Sequence, residues 1–553
     1  MNTSAKMIAF FVAAAFQLPL AAAPVYVDGK LGNDETGDGS ESAPFKTLQR
    51  GAALIAADTS REGLYLAPAT YVLTNDFVFG RITNANAWPW LRGLGTSPAD
   101  VVIDGQGQYS WGRQNYVRGI SSITFSNLYS QAAYTFRLAG AGNTTFAELD
   151  VDTEIILSNC VITCSRAEAK NVVHMSGAER MVDCVITNCA SKGDLVYANG
   201  GCQIERCKIL GNVCRGGSIV ALSTIQYAKL DKYGLSHVFQ TDFVGNGATT
   251  SLIDMMPTVS NCTFAANWVG GSTCHYPSNF KSGAPLTLVD SSFVDNVSTN
   301  GGNQSGCAGV SVDNAMITNS LIANCVIRNC SAPNSANNWN AGGGALRLKP
   351  TSVWGSGLVV RNVSITGCDA GTSEGSAVFC TYDASTAGDG PVVFENCTIA
   401  DNGVDYPGNK KRSAVYFDKT NNGRTYFKNC VFSNGTAGDP RVHGIKGASG
   451  WLSDQEYANM SNCLFASEID YAFKPAQKIK NGQDPLFEAN SYVPSRNSPL
   501  VDAGLNNASW MTTAYDLQRD EDGKPFCKRI VNGVVDIGAY EYRPIPGFLL
   551  LLR

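Results

Sequence analysis

The chain has 553 residues, with 56 Gly, 18 Cys, only 4 His, 16% charged residues, 44% hydrophobic residues and a net charge of −5. That length is too great for one ordinary compact core, so several domains or a repetitive architecture is required. The hydrophobic content excludes wholesale disorder, the lack of an internal apolar run of about eighteen residues excludes a multi-span helical membrane protein, and the mildly acidic charge offers nucleic acid no electrostatic footprint.

Residues 1–23 are predicted to be an export signal: Lys6 supplies the positive start, Met7 to Leu20 the apolar stretch, and Ala21-Ala22-Ala23 the small-residue cleavage zone. A cap segment is expected over 24–60, where Leu48, Ala52 and Ile55 share one helical face. Within it, Asp34 and Asp38 beside Gly37 and Gly39 form an acidic Gly-rich loop. This loop is a weak calcium candidate, against the plainer alternative of a solvated turn, and Asp516, Asp520 and Asp522 stand in the same position.

From about residue 120 a short phrase recurs, as in Asn159-Cys160-Val161-Ile162, Asn261-Cys262-Thr263-Phe264 and Asn396-Cys397-Thr398-Ile399. The Cys slot falls at 160, 184, 207, 241, 262, 291, 325, 363, 397, 430 and 463, with Thr241, Ser291 and Val363 as substitutes. Five positions further on stands a second column: Cys189, Asn212, Asn246, Asn267, Asn296, Cys330, Cys368 and Asn402. Apolar and polar residues alternate within each phrase, the period of a strand. Such repeats predict an all-β chain, a parallel β-helix over 61–470 whose coils stack at about 4.8 Å into a rod on the order of 50 Å long. Like residues then form ladders, with Asn satisfying turn backbone and Cys filling buried space. Because Thr, Ser and Val replace Cys singly, the thiols are expected to be mostly free rather than disulfide-bonded, although export would favour oxidation.

Gly343-Gly344-Ala345-Leu346, with Phe243-Val244-Gly245-Asn246 and Phe264-Ala265-Ala266-Asn267, resembles the repeats of polymorphic outer membrane proteins. Val25-Tyr26-Val27-Asp28-Gly29 and Pro44-Phe45-Lys46-Thr47-Leu48 resemble the N-terminal segment of pectate-lyase-like right-handed β-helix proteins, in which a short helix caps the first coil. Asp484-Pro485-Leu486-Phe487, Asn497-Ser498-Pro499-Leu500-Val501-Asp502-Ala503-Gly504 and Val535-Asp536-Ile537-Gly538-Ala539-Tyr540-Glu541-Tyr542 resemble the choice-of-anchor Q domain, which implies a C-terminal domain over 471–543 of an exported bacterial surface protein. The apolar tail 544–553 that follows is too short to cross a bilayer.

Carbohydrate lyases on such a fold need a proton acceptor and commonly a calcium-holding carboxylate cluster. The column before the Cys slot is rich in amides. A first-strand column, His174, Tyr197, Ala221, Asp254, Ser311, Arg347, Phe379 and Tyr416, has its titratable members coils apart, so no catalytic residue is assigned. Val442-His443-Gly444 is taken as a chance match to a polygalacturonase turn. Insertions at 268–283, 297–307, 331–343, 369–375 and 403–412 are expected to leave one corner and stack into a wall bearing Trp268, His275, Tyr276, Trp339 and Tyr406, with Lys410, Lys411 and Arg412 at one end. Trp268, Tyr276, Trp339 and Tyr406 are therefore the ligand-binding candidates. The first expectation is a non-catalytic, adhesin-like protein, exported to the bacterial cell surface, that binds a polysaccharide or cell-surface partner. No nucleic acid and no membrane span of the mature chain are expected, and no cofactor apart from the weak calcium sites. The alternatives are a polysaccharide lyase or glycoside hydrolase acting on acidic polysaccharide, and a structural envelope spacer.

Overall fold

The computed structural model describes residues 23–78, 89–111, 117–131, 136–137, 155–175, 179–198, 202–222, 236–276, 285–299, 307–313, 319–333, 343–349, 357–371, 375–381, 391–403, 414–418, 425–433, 445–447, 459–468, 472–506, 509–519, 524–525 and 527–543. These residues form a right-handed parallel β-helix with three sheets, of 28, 11 and 7 strands. A complete coil contributes two short strands to the principal sheet, then one to the seven-stranded sheet, then one to the eleven-stranded sheet. In one coil these are Thr258–Ser260, Thr263–Ala265, Trp268–Val269 and Ser272–Tyr276.

The coil bends where the chain enters the left-handed backbone region. Asn159, Asp183, Arg206, Gln240, Asn261, Asp290, Asn324, Asn362, Asn396, Asn429 and Asn462, each directly before the Cys slot, all have φ between 48° and 55°. Asn and Asp tolerate this conformation better than other residues with a Cβ, which explains the amide column: it is a turn requirement. A second left-handed residue, such as Asn188, Gly211, Gly245 or Asn329, precedes the Asn/Cys column.

The core is built of ladders. Ile103, Phe125, Ile162, Ile186, Ile209, Phe243, Phe264, Phe293, Ile327, Ile365, Ile399, Phe432 and Phe465 are partners in register on successive coils. Their rings stack, with centroids 5.0 Å apart for Phe243–Phe264 and 4.7 Å for Phe264–Phe293. In the amide ladder, Asn246 Nδ2 donates to Asn267 Oδ1 at 3.2 Å and to Ile209 O at 2.7 Å, while its own Oδ1 accepts from Asn212 N at 3.0 Å. Thiols serve the same end, Cys184 Sγ donating to Leu157 O and Val182 O. Thr241 and Ser291 do so through their hydroxyls, donating to Phe239 O and Val289 O. All 18 cysteines are free thiols, Cys164 exposed and the rest buried. Burial pushes the Cys262 and Cys325 thiols up to about 12.

The first coil is closed by helix α1 (Leu48–Ala57), whose N-cap Thr47 accepts from Arg50 N. Leu48, Gly51, Ala52 and Ile55 face inward. A Cβ at Gly51 would lie 2.6 Å from Leu64 and 2.8 Å from Val27, so the helix packs directly on the first strands. At the other end, residues 484–543 form an irregular segment packed against the outer face of the last coils. Asn396, Asn429 and Asn462 donate to Asp536 O, Leu505 O and Ala503 O. Leu500 and Ile537 join Val431 and Leu464 in a small separate apolar cluster.

Candidate active face on the eleven-stranded sheet

Along each strand of the eleven-stranded sheet, alternate side chains enter the core. Ile253, Cys274, Val310 and Leu346 are in-register core members, and so are Tyr276, Val312 and Leu348. The residues between them make an outward column running His174, Tyr197, Ala221, Asp254, His275, Ser311, Arg347, Phe379 and Tyr416, each paired with the next. His275 belongs between Asp254 and Ser311, so the titratable residues are neighbours and not coils apart, contrary to expectation.

His275 Nδ1 lies 3.0 Å from Asp254 Oδ1, and the two side chains retain 25% and 21% of their surface. A carboxylate against Nδ1 favours the tautomer with its proton on that nitrogen, as a general base with an orienting acid requires. On one side of the pair the column continues to the stacked rings of Tyr197 and His174, 5.3 Å apart. On the other side it continues to Ser311 and Arg347, both buried.

Only part of the expected aromatic wall stands in the described structure. Residues 268–276 are two strands of a minimal coil, and 297–298 is likewise a strand, so the insertions begin later than expected. Tyr276 points into the core and is fully buried, because the period of two that sends His275 outward sends its neighbour inward. Tyr276 therefore cannot offer a ring to a sugar. Trp268 is on the outer face of the seven-stranded sheet with 41% of its surface exposed. Trp339, Tyr406, Lys410, Lys411, Arg412 and His443 lie outside the described residues.

The acidic loop candidates are occupied by the chain itself. Asp34 Oδ1 accepts from Lys46 N at 2.8 Å and Thr47 N at 3.0 Å, and Oδ2 accepts from Thr47 Oγ1 at 2.7 Å. Asp38 Oδ1 accepts from Ser40 N at 2.8 Å. Asp34 thus secures the entry to α1, and Asp38 closes the turn at Ser40. Asp516 is buried and accepts from Glu541 N. Asp520 and Asp522 lie outside the described residues. Among the described residues no group of three or more His, Cys, Asp or Glu is placed to hold a metal ion, and no helix is long and apolar enough to cross a membrane.

No family model matches the chain, so the polymorphic outer membrane protein and choice-of-anchor Q resemblances stand on their short motifs alone. No curated protein matches either. Some solved structures are similar to it at low identity. The catalytic domain of a GH87 α-1,3-glucanase in complex with tetrasaccharides is 11% identical over 80% of this chain and 68% of that one, with a TM-score of 0.31. The catalytic unit of the GH87 α-1,3-glucanase from Streptomyces thermodiastaticus is 13% identical over 80% and 72%, with a TM-score of 0.31. The A-module of the Azotobacter vinelandii mannuronan C-5 epimerase is 11% identical over 79% and 94%, again with a TM-score of 0.31.

Proposed function

We propose that the protein is an exported enzyme acting on polysaccharide along the outer face of the eleven-stranded sheet. His275 is the proton-transferring group and Asp254 the group that orients it. The observation that carries this is the 3.0 Å contact between His275 Nδ1 and Asp254 Oδ1, on a face where side chains repeat about every 4.8 Å. The adhesin expectation rested on a wall of exposed aromatics and on the supposed lack of a proton-transfer pair. Tyr276 has left that wall, and the pair is present. Glycoside hydrolysis by two facing carboxylates is not what this column offers among the described residues, since Asp254 is committed to His275. The neighbours' activities are not transferred with their architecture, because one fold hosts many chemistries. Export is part of the proposal on account of the signal-like segment 1–23.

The test is incubation of the purified mature protein with pectins, alginates, xylans and neutral glycans, native and O-acylated, with and without calcium. Unsaturated uronate, new reducing ends and released acyl acid are each followed. Product from the wild type that falls at least about a hundredfold in His275→Ala supports the assignment. Retention of glycan without any product would restore the adhesin reading.

A further inference from the structure

We propose that Ser311 is a nucleophile completing an Asp254–His275–Ser311 relay, and that this face hydrolyses short O-acyl esters carried by its polysaccharide. The inference deepens the proposed function and rests on it. The three residues occupy matched positions on three consecutive parallel strands, Asp254 opposite His275 and His275 opposite Ser311. Adjacent strands are about 4.8 Å apart. Asp254 holds Nδ1, so Nε2 lies on the ring edge turned away from Asp254, and the next side chain of the column beyond that edge is Ser311.

Ser311 Oγ is buried without a hydrogen-bond partner. An unsatisfied buried hydroxyl costs about 1–3 kcal/mol. Ser165, Thr241 and Ser291 avoid that cost, each donating to a carbonyl two residues earlier, whereas Ser272 and Ser364 are buried and unsatisfied as Ser311 is. Ser311 is set apart from them by its place beside an oriented imidazole. Arg347 stands opposite Ser311 on the following strand, and an arginine is the kind of group that stabilises a developing oxyanion.

Ser311 Oγ attacks the acyl carbonyl carbon, its proton passes to His275 Nε2, and the carbonyl electron pair moves onto oxygen toward Arg347. Collapse breaks the bond between the acyl carbon and the sugar oxygen, which takes the proton from Nε2. Water then repeats the sequence, releasing the carboxylic acid and restoring the serine. Ser311 and Arg347 are buried while His275 and Asp254 remain partly exposed, so the acyl group enters past His275 and must be small, an acetyl rather than a long chain.

The experiment uses the full mature chain with p-nitrophenyl acetate and with O-acetylated xylan and alginate, measuring released acetate. A fluorophosphonate probe followed by peptide mass mapping locates the nucleophile. Ser311→Ala is expected to lower acetate release at least about a hundredfold and to abolish labelling. Its melting temperature should hold, because the removed hydroxyl makes no bond. Acetate release undiminished in Ser311→Ala overturns the proposal. Absence of both acetate release and labelling, with His275-dependent unsaturated uronate or reducing ends, overturns it while leaving the proposed function standing. No product of any kind overturns both.

Discussion

Trp268 shows how a single residue is prepared for contact. Its indole lies across Gly247 on the preceding coil, so closely that a Cβ at Gly247 would collide with ring atoms Cζ2 and Cε2. One face of the ring is braced on backbone, and 41% of the residue remains open to solvent. A fixed, half-exposed ring is a platform for the apolar face of a sugar, with stacking worth about 1 kcal/mol. Trp268→Ala should therefore weaken glycan retention about fivefold, with little change in melting temperature. Gly247→Ala, which lifts the ring without removing it, should weaken retention in the same direction. A large loss of stability in Trp268→Ala would instead make the ring a structural prop. Trp268 was legible in the sequence as an aromatic after a ladder Asn, whereas Tyr276 was misassigned and the Asp254–His275 pair was missed. The cause is common to both: strands of the eleven-stranded sheet carry no Asn-Cys phrase, so in the sequence a complete minimal coil looks like an insertion. A signal was present. Asp254 and His275 each stand eight positions beyond their ladder residues, Asn246 and Asn267, as Tyr197 does beyond Cys189.

Among the larger elements, the C-terminal segment 484–543 is folded around a buried knot of ionisable groups. Arg529 Nη2 lies 3.1 Å from Glu541 Oε1, both side chains being wholly buried, and donates to Gly538 O at 2.7 Å. Asp536 accepts from Asp502 N and Tyr542 N, while Asp516 accepts from Glu541 N. Here the motif was legible as a string of residues, but the tasks of its members required the fold. Gly538, for instance, has φ 104°, and a Cβ there would sit 2.8 Å from Thr398 Oγ1 and 3.0 Å from Val431 Cγ2. Gly538→Ala should loosen the segment by about 1–3 kcal/mol, seen as a lower first melting transition. Three carboxyls share one guanidinium, and burial pushes Asp536 up to about 6 and Glu541 up to about 9, against the opposing pull of Arg529. Because these folded values exceed the unfolded ones, the folded state binds more protons. The stabilisation is full below the unfolded carboxyl range and is lost as pH climbs through the raised values. Melting followed from roughly pH 4 to pH 8 should show the segment weakening as pH rises, and Asp536→Asn, which cannot ionise, should flatten that decline. A pH-independent first transition would mean that Arg529 fully offsets the burial of its acids.

At the scale of the molecule, the chain is a one-dimensional stack in which each coil touches only its neighbours, so stability is a sum of coil and interface terms. The period-two phrases and the Asn/Cys slots made this architecture readable, since ladders repeat one residue's environment many times over. Loop lengths, by contrast, follow no such rule. The amide ladder Asn212–Asn246–Asn267–Asn296 runs through the middle of the rod, each side-chain oxygen taking the preceding coil's turn N–H. Asn246→Ala removes the acceptor for Asn212 N and the donor to Ile209 O together. Leaving these buried groups unpaired should cost about 2–4 kcal/mol. In a compact globule that loss would be felt everywhere, through one cooperative transition. In a stack it should be local: hydrogen exchange in Asn246→Ala should quicken over the coils between about residues 207 and 268. Helix α1 and the segment 484–543 should keep their protection, since each is held by interfaces the substitution does not touch. Uniform acceleration along the whole chain would show that the solenoid opens as one unit. The ladders would then transmit stability over the rod's full length, and the face carrying Asp254, His275 and Ser311 would be only as firm as the weakest coil.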